Sequence, residues 1–157
     1  METHKSMDFG LFKKYMNTAD NFNMHNGLVV TEIGEGVCEL EVELSKCSMN
    51  PQGGAHGGLI FTMCDVSCGV AAISGGRSML TLNSNISFLR PGMGKKLRAR
   101  AECVKDGRTI GLFEAKVFDD EDKLIAKGEF TMYYTGEKIV FSSEEKPEAQ
   151  FVWGSVD

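Results

Sequence analysis

A chain of 157 residues, 42% hydrophobic and 25% charged, has room for one globular domain around one sizeable core. Its net charge of -5 argues against nucleic acid as a partner, because non-specific binding needs a surplus of Lys and Arg to displace counterions. Residues 1–10 hold no apolar h-region, and the longest apolar stretch, 59–73, is broken by Asp65 and too short for a bilayer, so neither a signal peptide nor a membrane association is expected.

In chain order, residues 8–18 set Phe9, Leu11, Phe12, Tyr15 and Met16 at helical spacing and read as a short amphipathic helix. Residues 27–33 and 37–44 read as a hairpin turned at Gly34-Glu35-Gly36, where glycines are free to take positive φ. Cys38, Leu40, Val42 and Leu44 alternate with Glu39, Glu41 and Glu43, the period of a half-buried strand. A loop rich in turn formers, 45–56, leads into an apolar run from Gly57 to Ile73. That run is too long for one strand and apolar nearly all round, so it reads as a helix enclosed by protein and ended by Gly75-Gly76. Strand-like runs follow at 79–90, 96–105, 109–118 and 123–134, turned at Asp106-Gly107 and at Asp119-Asp120-Glu121-Asp122. In the last run Leu124, Ala126, Phe130 and Met132 alternate with Ile125, Lys127, Glu129 and Thr131. One enclosed helix and a long meander suggest an α+β domain over 1–136, an antiparallel sheet of about six strands wrapped around the helix. Residues 137–157 read as a charged tail that either is disordered or docks Phe151-Val152-Trp153.

Asp65 is the only charge between Gly57 and Gly76. An ionised carboxylate inside an apolar helix costs several kcal/mol, on the order of other buried-ion penalties, unless it is partnered. Either it satisfies a buried polar group or an ion pair, or it serves as a general base or nucleophile.

The segment Asn50-Pro51-Gln52-Gly53-Gly54-Ala55-His56-Gly57-Gly58, followed by Asp65, resembles the signature of the PaaI-type hot-dog thioesterases. The likeness extends over roughly residues 25–135, including Ser87-Phe88-Leu89-Arg90-Pro91. It implies a hot-dog fold, an acyl-CoA substrate split into free acid and CoA, no cofactor and no metal. It implies that Asp65 either activates water or attacks the thioester carbonyl to form a mixed anhydride, and it does not choose between them.

Gly57 and Gly58 begin the helix, where amides lack intrahelical partners and the positive dipole end suits an oxygen that becomes an oxyanion. Gly57 and Asp65 lie eight residues apart, about 12 Å along an α-helix, so one chain cannot easily set both on one acyl carbon. Two antiparallel helices at a twofold axis solve this, Asp65 of one subunit facing Gly57 of the other. A homodimer is therefore the minimum, and the resemblance implies a homotetramer. Asn50 either holds the substrate carbonyl or the attacking water, or is a turn-forming Asn before Pro. His56 either hydrogen-bonds the thioester oxygen or braces the loop. The resemblance places Thr81 near the attacking water, against the plain reading of a strand Thr. Gly58 is a candidate for substrate contact. By resemblance Arg90 and Arg108 are candidates for the CoA phosphates, against the reading of solvated surface cations.

Other chemistries lack their motifs. There is no Gly-x-Ser-x-Gly elbow, no Gly-x-Gly-x-x-Gly, and no His-Glu-x-x-His or Cys-x-x-Cys, and the only histidines are His4, His25 and His56. Cys64 and Cys68, one helical turn apart, read as core. Five cysteines without a framework spacing fit a reducing compartment, the cytoplasm. A non-catalytic acyl-CoA-binding protein and a hydroxyacyl-thioester dehydratase are the rival readings. The first usually carries a DNA-binding module, for which the residues before the first strand are too few; the second needs a His acid/base with an acidic partner. Phe61, Met63, Leu82, Ile86 and Phe88 either line an aryl or medium-chain acyl pocket or fill the core.

Overall fold

The computed structural model describes residues 6–141. The Phe151-Val152-Trp153 segment lies outside them. Helix α1, Phe9–Thr18, is N-capped by Asp8, whose carboxylate accepts from the Leu11 N–H at 3.0 Å. A second short helix, α2 (Asn21–His25), is capped in the same way by Asp20. Strands β1 (Leu28–Gly34) and β2 (Val37–Glu43) form the expected hairpin, with Gly36 at a φ of 69°. Helix α3 runs Gly57–Ile73 and stops at Gly76, whose φ of 81° is open to glycine at no steric cost. Strands β3 (Arg77–Phe88), β4 (Lys96–Asp106), β5 (Ile110–Asp119) and β6 (Leu124–Lys138) complete a six-stranded antiparallel sheet in the order β1-β2-β4-β5-β6-β3.

The sheet holds α3 in its concave face because the central strands turn small side chains toward it. Ala99, Ala101, Ala115 and Ala126 are fully buried, which lets the helix approach closely. Larger residues, among them Leu40, Phe113, Phe130 and Met132, close the trough around Met63, Cys64 and Cys68. Each large apolar side chain so buried stabilises the fold by about 1.5–3 kcal/mol. The opposite face of the sheet carries charges, as the alternation requires. Arg100 pairs with Glu39 and Glu102, and Lys96 with Glu41.

Three local features depart from the sequence reading. Helix α2 was not anticipated, since five residues carry no period. Ile125, placed by alternation opposite Ala126, is buried as well. The chain after β3 covers it: the amides of Leu89 and Arg90 both donate to its carbonyl, and Arg90 through Gly94 lie beside it. The last strand runs two residues beyond Gly136, and Phe141 stacks on the buried ring of Phe12 at 4.5 Å, so the start of the presumed tail packs on the domain.

Candidate active site

The loop before α3 is a closed structure. Asn50 Oδ1 accepts from the N–H groups of Gln52 at 3.0 Å and Gly54 at 3.1 Å, and the Asn50 amide donates to the Gly54 carbonyl at 2.8 Å. Asn50 is therefore the turn-forming residue, and its side-chain oxygen is spent on the loop. Its NH₂ group makes no hydrogen bond among the described residues, so it stays a donor. Gly53 supports the turn with a φ of 86°.

His56 caps α3, its Nδ1 accepting from the Gly58 N–H at 2.9 Å. This has two consequences. The Gly58 amide is occupied, whereas the Gly57 N–H has no acceptor among the described residues, so of the two only Gly57 keeps an unengaged donor. An accepting Nδ1 also assigns the proton of a neutral imidazole to Nε2, which makes His56 a second outward donor. The ring of Phe88 lies against Gly57, 3.6 Å from where a Cβ would sit.

Asp65 is half-buried at the side of α3, and its Oδ1 accepts from the Thr81 hydroxyl at 2.9 Å. No cation pairs with it among the described residues. Of the two structural expectations for Asp65, no ion pair forms among the described residues, while the bond to Thr81 is the kind of contact that satisfies a polar group. A pairing irregularity between Thr81 and Asn83 makes this contact compatible with the Gly57–Phe88 contact. Thr81 and Phe88 are seven residues apart, an odd spacing that would put them on opposite faces of a regular strand. The extra residue of a bulge restores parity: Thr81 lies opposite buried Met132, while Ser84 and Phe88 lie opposite buried Phe130 and Ala126. Both residues thus face α3.

Asp65 and Thr81 stand at the edge of an apolar cleft of about 560 Å³ between α3, β3 and the N-terminal helices. Its walls are Tyr15, Met16 and Ala19 on one side and Val66, Gly69 and Ile73 on the other. None of these was expected from sequence to line a site, and Tyr15 and Met16 were read only as the apolar face of the first helix. Of the residues that were, Met63 is buried core, while Leu82 is 58% exposed and lies outside the cleft. Burial pushes the Cys64 thiol up to about 12, with the Asp65 charge adding to the effect, and raises Cys68 also. Neither offers a thiolate nucleophile.

Arg90 and Arg108 do not come together within one chain. Arg77, the first residue of β3, donates to the carbonyls of Gly107 and Arg108, whereas Arg90 lies two residues past the end of the same strand. Twelve strand residues separate them by roughly 35–40 Å. Arg90 donates to the Leu124 carbonyl at 2.9 Å, and Arg108 is exposed. No group of three or more His, Cys, Asp or Glu among the described residues could hold a metal ion, and no helix is long and apolar enough to cross a membrane.

The family model of the thioesterase superfamily matches residues 52–126, the stretch that carries Gly57, Asp65 and Thr81. A Streptococcus mutans protein solved with acetyl-CoA bound is 36% identical, with 71% of this chain covering 90% of that one at a TM-score of 0.68. The chain belongs to the PaaI-type hot-dog thioesterases. The acyl-coenzyme A thioesterase PaaI of Escherichia coli is 26% identical over 101 residues, 64% of this chain and 72% of that protein. The structure of the Escherichia coli PaaI protein superposes at a TM-score of 0.77, covering 81% of this chain and 93% of that one at 23% identity, a likeness of fold. In this hot-dog protein the sheet is the wrap and α3 the filling. The matched stretch leaves out α1, α2 and Asn50, so one wall of the cleft belongs to the part of the chain outside the family model.

Proposed function

We propose that this hot-dog protein hydrolyses an acyl-CoA thioester to a free acid and CoA, with its site assembled across two copies of the chain. The observation that carries the reading is Asp65, a half-buried carboxylate with no cation partner among the described residues, held by one hydroxyl on the lining of a cleft. The names of the relatives support the substrate: PaaI is an acyl-coenzyme A thioesterase, and the Streptococcus mutans protein was solved with acetyl-CoA.

The acyl carbonyl lies between Asp65 of one copy and the Gly57 N–H of another, since about 12 Å of helix separates these groups within a chain. In the water route Asp65 takes a proton from water while the oxygen attacks the acyl carbon. Gly57 N–H, the Asn50 side-chain NH₂ and His56 Nε2–H are the donors for the oxyanion. Collapse breaks the C–S bond, and the Asp65 proton passes to the leaving thiolate. In the covalent route Asp65 itself attacks, the thiolate leaves, and water then opens the mixed anhydride. Thr81 serves both, because its hydroxyl fixes the rotamer of the carboxylate and keeps lone pairs for the incoming water.

A twofold axis that sets two β3 strands antiparallel also brings the Arg90 end of one strand to the Arg108 end of the other. That arrangement lets the two cations share one CoA. The assembly is a dimer at least, with a tetramer the larger assembly implied by family resemblance. The five cysteines, all free thiols, fit a reducing compartment, the cytoplasm.

The test is release of free CoA from acyl-CoA, read with a thiol reagent. Wild-type protein releases CoA, and Asp65→Asn lowers the rate by about 10²–10⁴-fold. Tight binding without release by wild type would make the protein an acyl-CoA binder instead.

A further inference from the structure

The turn between β4 and β5 is held at three successive backbone carbonyls. Arg77, the first residue of β3, reaches across to it: Nη1 donates to the Gly107 carbonyl at 2.9 Å and to the Arg108 carbonyl at 3.4 Å, and Nη2 donates to the Asp106 carboxylate. The Tyr134 N–H takes the next carbonyl, that of Thr109, at 2.8 Å, and the Gly107 N–H donates to the Ile110 carbonyl at 3.0 Å. The guanidinium lies over the buried ring of Tyr134, with Cζ 3.6 Å from the ring centroid. The Tyr134 hydroxyl donates to the same Asp106 oxygen at 2.8 Å.

The packing around this clamp is tight. A Cβ at Gly107 would collide with the Ile110 carbonyl oxygen, and one at Gly111 would come within 2.5 Å of the Tyr134 hydroxyl oxygen. Both positions therefore call for glycine, the first to let the turn close and the second to admit the tyrosine. Burial, and then the bond to Asp106, push the Tyr134 hydroxyl above its ordinary value, so it remains a donor. Arg77 spends its charge on Asp106. Arg108 is exposed and forms no ion pair among the described residues, which leaves its charge for a ligand.

We infer that Arg77 is a positioning residue for the CoA end of the site: clamped by Asp106 and Tyr134, it fixes the turn so that Arg108 is presented to the phosphates of an acyl-CoA. The inference rests on the thioesterase reading above, in which Arg108 is one of the cations for CoA. An arginine on a free turn gives up backbone and side-chain freedom when it binds. On a clamped turn the backbone share has already been given up on folding. One planar guanidinium serves three acceptors at once, which the single point charge of a lysine does not.

The deciding measurement compares an acyl-CoA with the pantetheine thioester of the same acyl group, which lacks every phosphate. Arg77→Met keeps the stem over Tyr134 and removes the fork. It is expected to raise KM for the acyl-CoA about tenfold with kcat within about twofold, and to leave hydrolysis of the pantetheine thioester as in wild type. Arg77→Lys does not restore KM. Arg108→Ala raises KM for the acyl-CoA by about ten- to a hundredfold, and adding Arg77→Met to it costs no more than about twofold further, because the first residue acts through the second. The Kd of CoA itself, by calorimetry, follows the same pattern and needs no turnover. If Arg77→Met fails to fold, Tyr134→Phe keeps the ring, drops the hydroxyl bond and raises KM by about two- to threefold with the same split. Equal losses on both substrates, losses that multiply in the double variant, or an unmoved KM and Kd overturn the positioning role and leave the thioesterase reading standing. Wild-type protein that releases no CoA but binds it with this pattern removes the thioesterase reading and keeps the clamp. Wild-type protein that neither binds nor releases CoA removes both.

Discussion

Asp65 and Thr81 work as a pair joined by one charge-assisted hydrogen bond. Such a bond contributes about 1.5–3 kcal/mol, so Thr81→Val, which keeps the shape and removes the donor, is expected to lower kcat by about ten- to a hundredfold. The loss should be smaller than in Asp65→Asn, because the carboxylate itself survives. Steady-state kinetics on a single acyl-CoA distinguishes the two, and a Thr81→Val rate equal to wild type would free Thr81 of any role. His56 has a structural task that can be separated from chemistry. It caps α3 through Nδ1, so His56→Ala should cost about 1 kcal/mol and lower Tm by about 2–4 °C. His56→Asn restores a capping oxygen and should recover the Tm. Activity that stays low in His56→Asn would then report the lost Nε2–H donor.

The elements show which parts of the molecule can be read from sequence. Helix α3 was legible to the residue because an apolar run without a strand's length limit was fenced by His56-Gly57-Gly58 and Gly75-Gly76. The hairpins were legible from alternation and their turns. The β3 bulge was not, since nothing in Thr81-Leu82-Asn83 marks an extra residue, and the contact of Asp65 with Thr81 depends on it. The α3 stripe that borders the cleft was hidden for a different reason: Gly69 and Ile73 are buried like Cys68, Ala71 and Ala72 beside them, and only Asp65 and Val66 on that face are half-buried. The position of α1, a long-range contact, sets the other side of the cleft. That position hangs on Phe12, which is fully buried on Phe141. Phe12→Ala is expected to destabilise the protein by about 3–5 kcal/mol in denaturant unfolding. A cost under 1 kcal/mol would show that α1 is held by other contacts.

At the scale of the whole molecule the two edges of the sheet are treated differently. The β1 edge is blunted by Asn17, whose side chain pairs with Val30 as a short strand would. The twelve-residue β3 has β6 on one side and no strand on the other among the described residues, and Leu80, Leu82 and Phe88 along it are exposed. A long open edge with exposed apolar side chains calls for a partner strand, and in the proposed assembly a second copy of β3 would supply one while setting two α3 helices antiparallel. The same arrangement is the one proposed above for joining Asp65 of one copy to Gly57 of the other.

Mixing two disabled variants tests that union most directly. Asp65→Asn removes the carboxylate. Gly57→Pro removes the N–H at the first helical position, where proline is well tolerated and the extended φ and ψ of His56 (-63°, 136°) already suit a following proline. Each variant alone is expected to be nearly inactive. After subunit exchange at equal concentration, half of the dimers are mixed and each holds one intact site, so activity should return to about a quarter of wild type. No recovery in a mixture shown to contain mixed dimers would contradict a site shared between copies.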